Sequence, residues 1–381
     1  MVVETQHVVE WLSRLVQIPA IGPANAGPRA GVPGEARLAN QLTEWFQQYG
    51  ATVEHEEVFS ERPNVYAIWR GTSDRWLAVD VHMDTVGVET MEGDPFDGRV
   101  ADGRVYGRGA VDTRASLAII LALLENLHLN NGSLTDNLLI CASADEETGC
   151  HGAPVFANWV RRQGIQIDQL IVSEPTLCLP IHGHKGALGI LVEIQGVAAH
   201  SSKPHLGQNA ISAAAHVINA LDAEHQRIIA QPSSTKLGTG TLSVTLIQGG
   251  QAQNVIPNYC RINVDRRLTV GEDPAEIYTG IAAVVQKSMT LPVSVQAIHE
   301  LNAFYQQPNT PWIRQLEAWS GGSADIVPYT SNAYAYNGLA HECVLFGPGS
   351  IDQAHGNVEW IAISELEKAT RIYERWWGLS K

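Results

Sequence analysis

The chain has 381 residues, 45% apolar and 17% charged, with 34 glycines and 18 prolines. That length fits two or three domains, and the composition is that of a soluble α/β protein, too apolar for a disordered chain. A net charge of −15 excludes the basic face that nucleic acid requires and adhesion to an anionic membrane, while leaving carboxylates free for metals.

Residues 1–17 carry acids and an amphipathic pattern (Val8, Val9, Trp11, Leu12, Leu15, Val16). A secretory signal would instead show a basic start and an unbroken apolar run. The longest apolar run, 117–124, is far short of a membrane span, which takes roughly 20 residues. The five cysteines are scattered with no CxxC pair and read as reduced thiols, so a cytoplasmic protein is expected.

In chain order, a helical pattern over 35–49 is stopped by Gly50 and followed by strand patterns at 64–69 and 76–81. A helix over 114–128, a strand at 137–142, a helix over 153–163 stopped by Gly164, and a strand at 169–172 come next. Strands alternating with helices predict a mostly parallel sheet covered on both faces. The middle of the chain reads differently: alternating strands at 186–196, 241–248, 259–265 and 292–297, with helices over 209–221 and 273–287. That β-α-β-β-α-β order resembles a ferredoxin-like α+β layer. We place it at 185–297, inserted into an α/β domain made of 1–184 and 298–381, which closes with a strand at 343–346 and a helix over 359–377.

In open α/β sheets, ligands sit beyond the carboxyl ends of the strands, and there the sequence places its polar clusters. The strand at 76–81 runs into His82-Met83-Asp84. Imidazole is a good zinc ligand, and a metal-bound His usually gives its other N–H to a carboxylate. Gly107-Arg108-Gly109-Ala110-Val111-Asp112 forms a tight loop before a helix, where Asp112 also suits an N-cap. Asp145-Glu146-Glu147 follows a buried strand, so the acids' repulsion calls for a cation or for protons. Glu174 ends another strand, and His355 follows the last one. Each cluster alone is also what a turn or a cap uses. Together, two histidines and several carboxylates suit a pair of Zn²⁺-like ions sharing one carboxylate, which polarise a carbonyl and activate water.

This set resembles the M20 family of dinuclear metallohydrolases, which includes acetylornithine deacetylase, succinyl-diaminopimelate desuccinylase, aminoacylase-1 and glutamate carboxypeptidases. The resemblance covers nearly the whole chain, with the motifs in the family's order. It implies His82 and Glu174 as ligands of one metal, Glu147 and His355 as ligands of the other, and Asp112 as the bridge, with a cis peptide after it. The cofactor implied is two Zn²⁺, with Co²⁺ or Mn²⁺ as substitutes. Asp84 is implied as the orienter of His82, and Glu146 as the general base and acid acting on a metal-bridged water. The inserted layer becomes a lid and dimerisation domain. Within it, Gly196-Val197-Ala198-Ala199-His200 resembles the lid motif, with His200 stabilising the oxyanion in the partner subunit's site. Asn254 and Arg267 are implied as grips on a substrate carboxylate.

Two segments depart from the family pattern: Asp112-Thr113-Arg114-Ala115, where Asp-Met-Lys-Gly is usual, and Thr330-Ser331-Asn332-Ala333, where Ser/Thr-Asp is usual. His182, His184 and His205, near the lid hinge, read as structural or polar. The expectation is a homodimeric amidohydrolase that releases an amine from an N-acyl amino acid. A carboxypeptidase, dipeptidase or desuccinylase is its neighbour, and a metal-binding protein without catalysis its remote alternative. Retention of Glu146 argues against that last reading. No GxSxG elbow and no HExxH motif is present, which removes serine-hydrolase and single-zinc protease readings.

Overall fold

The computed structural model describes residues 2–233 and 235–380. The chain divides into two compact units, one of 1–182, 306–325 and 331–381, the other of 183–305 and 326–330.

The first unit is built on a mixed sheet. Its strands run in the order Thr52–Phe59, Arg62–Trp69, Asn137–Ser143, Trp76–His82, Ile167–Val172 and Ala340–Leu345. The last four pair in parallel, whereas the first two join antiparallel. The sheet is thus parallel in its centre, and the expected mostly parallel sheet holds only there. The central strands Trp76–His82 and Asn137–Ser143 are buried at every position, which is why they read as continuous apolar runs. The edge strand Thr52–Phe59 is the opposite. Its sequence, TVEHEEVF, carries mostly charged and polar side chains with no buried position, and gave no signal as a strand.

The helix Arg114–Leu129 is apolar nearly all round and lies in the core, packed against Thr5–Val16 and Ile363–Trp376. The last helix starts at Ile363 rather than at 359, because Trp360–Ala362 pairs antiparallel with Arg104–Tyr106. Arg114 is buried, and its Nη1 donates to the carbonyls of Leu15 (2.7 Å) and Val16 (3.2 Å). At this departure from the family pattern, the side chain docks the carboxyl end of the first helix, where a cation opposes the macrodipole.

The second unit holds a four-stranded antiparallel sheet in the order Thr241–Gly249, Tyr259–Leu268, Gly186–Gln195, Val293–Leu301. The helices Ala210–Ile229 and Pro274–Lys287 complete the β-α-β-β-α-β order read from the sequence. Both have side-chain N-caps: Asn209 accepts from Ile211 and Ser212, Asp273 from Ala275 and Glu276. Strict alternation of burial along Tyr259–Leu268 shows one face on the core and one open. The unit is larger than 185–297, because Val293–Leu301 runs on beyond 297 and Phe304–Tyr305 pairs back onto Gly183 and His184. His184 is buried there, with Nδ1 2.9 Å from the Lys185 carbonyl. Among the described residues, no helix is long and apolar enough to cross a membrane.

Candidate metal centre and active site

The carboxyl ends of the parallel strands deliver the cluster in the first unit. His82 closes Trp76–His82, with Nδ1 3.0 Å from the backbone carbonyl of Asp84 and Nε2 3.0 Å from Oδ1 of Asp112. A carbonyl only accepts, so Nδ1 carries a proton. Nε2 then meets a carboxylate either as the N–H of an imidazolium or through a cation lying between them. His355 repeats the arrangement: its Nε2 lies 3.2 Å from the other oxygen of Asp112 and 3.1 Å from Oε2 of Glu147. One carboxylate thus faces two histidines with its two oxygens, which is what a bridging ligand requires. Ligand atoms of His82, Asp112 and Glu147 all lie within 4.8 Å of one another. Neutral imidazole nitrogens and carboxylate oxygens form a donor set suited to zinc. The peptide between Asp112 and Thr113 is cis.

Glu146 and Glu147 come from the single helical turn Glu146–Gly149, entered from Asn137–Ser143 through Asp145 in the left-handed region (φ 65°). The carboxylate of Asp84 accepts both of this turn's first N–H groups, from Glu146 (3.0 Å) and Glu147 (3.1 Å). Here the structure differs from the expected orienter. The hydrogen bond to His82 runs to the backbone of Asp84, and the carboxylate oxygen lies 3.7 Å from Nδ1. The Asp84 side chain mainly anchors the turn that carries the glutamates.

Glu174 follows Ile167–Val172 and is buried, but it lies outside the group whose ligand atoms converge within 4.8 Å. It is near enough to feel the cluster: burial, then the charges of Glu146 and Asp112, push its pKa well up. Burial also raises Glu146 to about 8, with His82 opposing and Glu147, Asp112 and Asp84 adding to the rise. Glu147 rises to about 7, from burial and the charge of Asp112. Burial works against a charged His82, yet the hydrogen bond to Asp112 and the nearby carboxylate of Asp84 hold its pKa well above the ordinary value. Hydrogen bonds to Asp112 and Glu147 lift His355 to about 10. Asp112 goes the other way: His355 and His82 overcome its burial and hold it well below the usual carboxylate range. Carboxylates crowded together in this way favour a bound cation, and metal binding competes with protons for them.

Two supports were not read from the sequence. Glu35, fully buried, accepts from Arg62 Nε (2.5 Å), Arg62 Nη2 (2.7 Å) and the N–H of Asp145 (3.0 Å). Arg62 also donates to Asp145 Oδ1 (2.7 Å), and His151 Nδ1 lies 2.6 Å from its other oxygen. This network fixes the left-handed residue that aims Glu146 and Glu147. Beneath His82 lies Asp80, fully buried, whose carboxylate accepts from the hydroxyl of Tyr336 (2.7 Å) and whose pKa burial raises. Asn332, at the second departure from the family pattern, is buried and donates to Ser143 Oγ (3.1 Å). An acid inside an all-apolar strand was the available signal for Asp80; the partners of Glu35 lie 27 and 110 residues away and left none.

The remaining expected residues belong to the second unit. His200 is exposed on the short strand Ala199–His200, paired opposite Val255, with Nδ1 2.7 Å from Ser202 Oγ. Asn254 is next to it in space, its carbonyl accepting from the N–H of Ser201 (2.9 Å). Arg267 lies at the far end of Tyr259–Leu268, paired by Nε with Asp265 (2.9 Å). It stands seven positions along the strand from Cys260, beside the Asn254 loop, a span of roughly 23 Å at about 3.3 Å per residue.

A carboxylate facing two histidines, with glutamates buried beside it, is a donor set of the kind metal-dependent hydrolases use. Residues 78–378 match peptidase family M20/M25/M40, and the chain belongs to that family. The acetylornithine deacetylase of Proteus mirabilis (strain HI4320) is 31% identical over 376 residues, covering 96% of this chain and 94% of its own. An M20 family metallo-carboxypeptidase from Sulfolobus solfataricus shares the fold, with TM-score 0.80 and 18% identity over 98% of both chains. So does a Bacillus subtilis protein described as a dinuclear metal-binding M20 peptidase, with TM-score 0.67 and 14% identity over 98% of both chains. The family is dinuclear and metal-dependent, and the protein is a hydrolase acting on amide bonds.

Because Glu35 is fully buried against the Arg62 guanidinium, Arg62→Met strands its carboxylate, while Asp145 loses one cation and keeps His151. It is expected to cost about 3–5 kcal/mol, as for other buried pairs broken on one side. Urea unfolding measures this, and a loss under about 1 kcal/mol would mean water replaces the guanidinium.

Proposed function

We propose that the protein removes the acyl group from an N-acyl amino acid, in the manner of acetylornithine deacetylase, using two Zn²⁺. The carrying observation is 31% identity to that deacetylase along nearly the whole chain. His82 and Glu174 would hold one ion, Glu147 and His355 the other, and Asp112 both. When bound, the ions act as Lewis acids on the scissile carbonyl and on the attacking water.

Glu146 is the general base. Its burial among like charges raises its affinity for a proton, so it takes one from the attacking water and returns it to the leaving amine. Asp84 holds Glu146 in place through the backbone of its turn. Arg267 offers a planar fork to the substrate carboxylate. Within one unit, Asn254 and Arg267 lie too far apart to grip the same group. We therefore infer a homodimer through the inserted domain, in which His200 of the partner subunit stabilises the oxyanion and Asn254 of the partner subunit meets the substrate. The strand Thr241–Gly249 supports this, being a sheet edge with Leu246 and Ile247 exposed. The five cysteines are buried free thiols, in keeping with the reducing cytoplasm.

A hydrolysis panel on zinc-loaded protein tests the substrate: N-acetyl-ornithine, N-acetyl-lysine, N-acetyl-methionine, N-succinyl-diaminopimelate and dipeptides, read by amine released. Fastest release is expected from N-acetyl-ornithine and is expected to stop on chelation. Release from dipeptides alone would make the protein a peptidase, and silence with two zincs bound would favour the non-catalytic alternative. Glu146→Gln is expected to keep its zinc and lose on the order of 10²-fold or more in kcat; an unchanged kcat removes it from the role. Mixing inactive His200→Ala and Glu146→Gln chains is expected to restore activity in the mixed dimer, since one site then has both groups intact. No recovery on mixing would place His200 in its own subunit's site.

A further inference from the structure

Arg108 and Glu359 are 2% and 1% exposed and form an ion pair with Nη1 2.6 Å from Oε2. Neither belongs to the ligand set. Burying two charges is costly unless every remaining donor and acceptor is satisfied, so the other bonds of this pair are informative. Arg108 donates from Nε and Nη2 to the carbonyl of Gly87 (3.2 and 3.0 Å), and from Nη2 to that of Gly356 (3.3 Å). Oε1 of Glu359 accepts the N–H groups of Val111 (3.1 Å) and Asp112 (3.3 Å).

Gly356 directly follows His355, and Asp112 is the bridge itself. The pair's remaining bonds go to the backbone of three segments, at Gly87, at Gly356 and at Val111–Asp112, and the last two each present a ligand. Stapling the small sheet is a separate matter, already served by the pairing of Arg104–Tyr106 with Trp360–Ala362 and by the N–H of Gly107 on the Glu359 carbonyl. His355 needs such an anchor. Its side chain is 49% exposed, its φ of 59° is left-handed, and its loop has only the short turn Ile351–Gln353 before it. A loop without strand or helix on either side of the ligand drifts unless its backbone is held.

We propose that Arg108 and Glu359 are positioning residues that keep Asp112 and His355 in one metal-binding register, so that zinc affinity depends on a pair that touches no metal. This rests on the metal centre proposed above. Partners that orient ligands without binding the ion are worth about 10–100-fold in metal affinity elsewhere.

The test is zinc stoichiometry and affinity, measured by chelator competition on the full-length protein. Arg108→Met/Glu359→Gln removes both charges together, avoiding a stranded ion, and leaves an amide oxygen for Val111 and Asp112. Zinc is expected to bind about 10–100-fold more weakly at one of the two sites, with the thermal melt of the chelated protein close to wild type. Arg108→Lys keeps the charge but cannot reach Glu359, Gly87 and Gly356 as one planar fork; a smaller loss at the same site is expected. Two zincs held at wild-type affinity by the folded double variant would overturn the proposal. Should the double variant not fold, wild-type affinity in Arg108→Lys would overturn it instead. A wild-type protein that binds no zinc would overturn the metal centre first, and this inference with it.

Discussion

Carboxylates that share a buried space repel one another, and the architecture of the first unit answers that repulsion. Glu146, Glu147, Glu174, Asp112 and Asp84 converge where the central strands end. Among the described residues, His82 and His355 stand among them as potential cations. Asp112 keeps its charge because both histidines face it, while Glu146 and Glu174 are pushed toward the protonated form. Such a site is costly for folding alone and well suited to a divalent ion. The sheet, the left-handed turn at Asp145 and the buried pairs behind it all hold like charges where they would not settle unaided.

Much of this was legible because apolar strands break off abruptly into polar residues. His82, Glu146 and Glu174 each follow a run whose burial is complete or nearly so, and that contrast survives in a bare sequence. The alternation along Tyr259–Leu268 likewise made the second unit's layer readable. The polar edge strand Thr52–Phe59 lacked such contrast, since neither face is buried. The supports of the site were hidden for another reason. Arg62 meets Asp145 across 83 residues, and Arg108 meets Glu359 across 251. Nothing local marks which arginines are buried.

The two departures from the family pattern proved structural in different ways. Arg114 donates to the last carbonyls of the first helix, tying that helix to the loop after Asp112. Asn332 reaches under the sheet to Ser143, at the end of the strand that leads to Glu146. Both substitutions lie within the scaffold that carries the ligands, and both leave the ligands unchanged.

Residue 84 illustrates how one position can hold two separable tasks. Its backbone carbonyl sets the tautomer of His82, and its side chain anchors the turn bearing Glu146 and Glu147. A carbonyl is supplied by every amino acid, so the orientation of the metal-facing histidine is insulated from changes in the gene at this codon. The anchoring of the base has no such protection. Drift at this position would therefore leave His82 aimed while loosening the turn that carries both Glu146 and Glu147, so that the base and one ligand would slacken together.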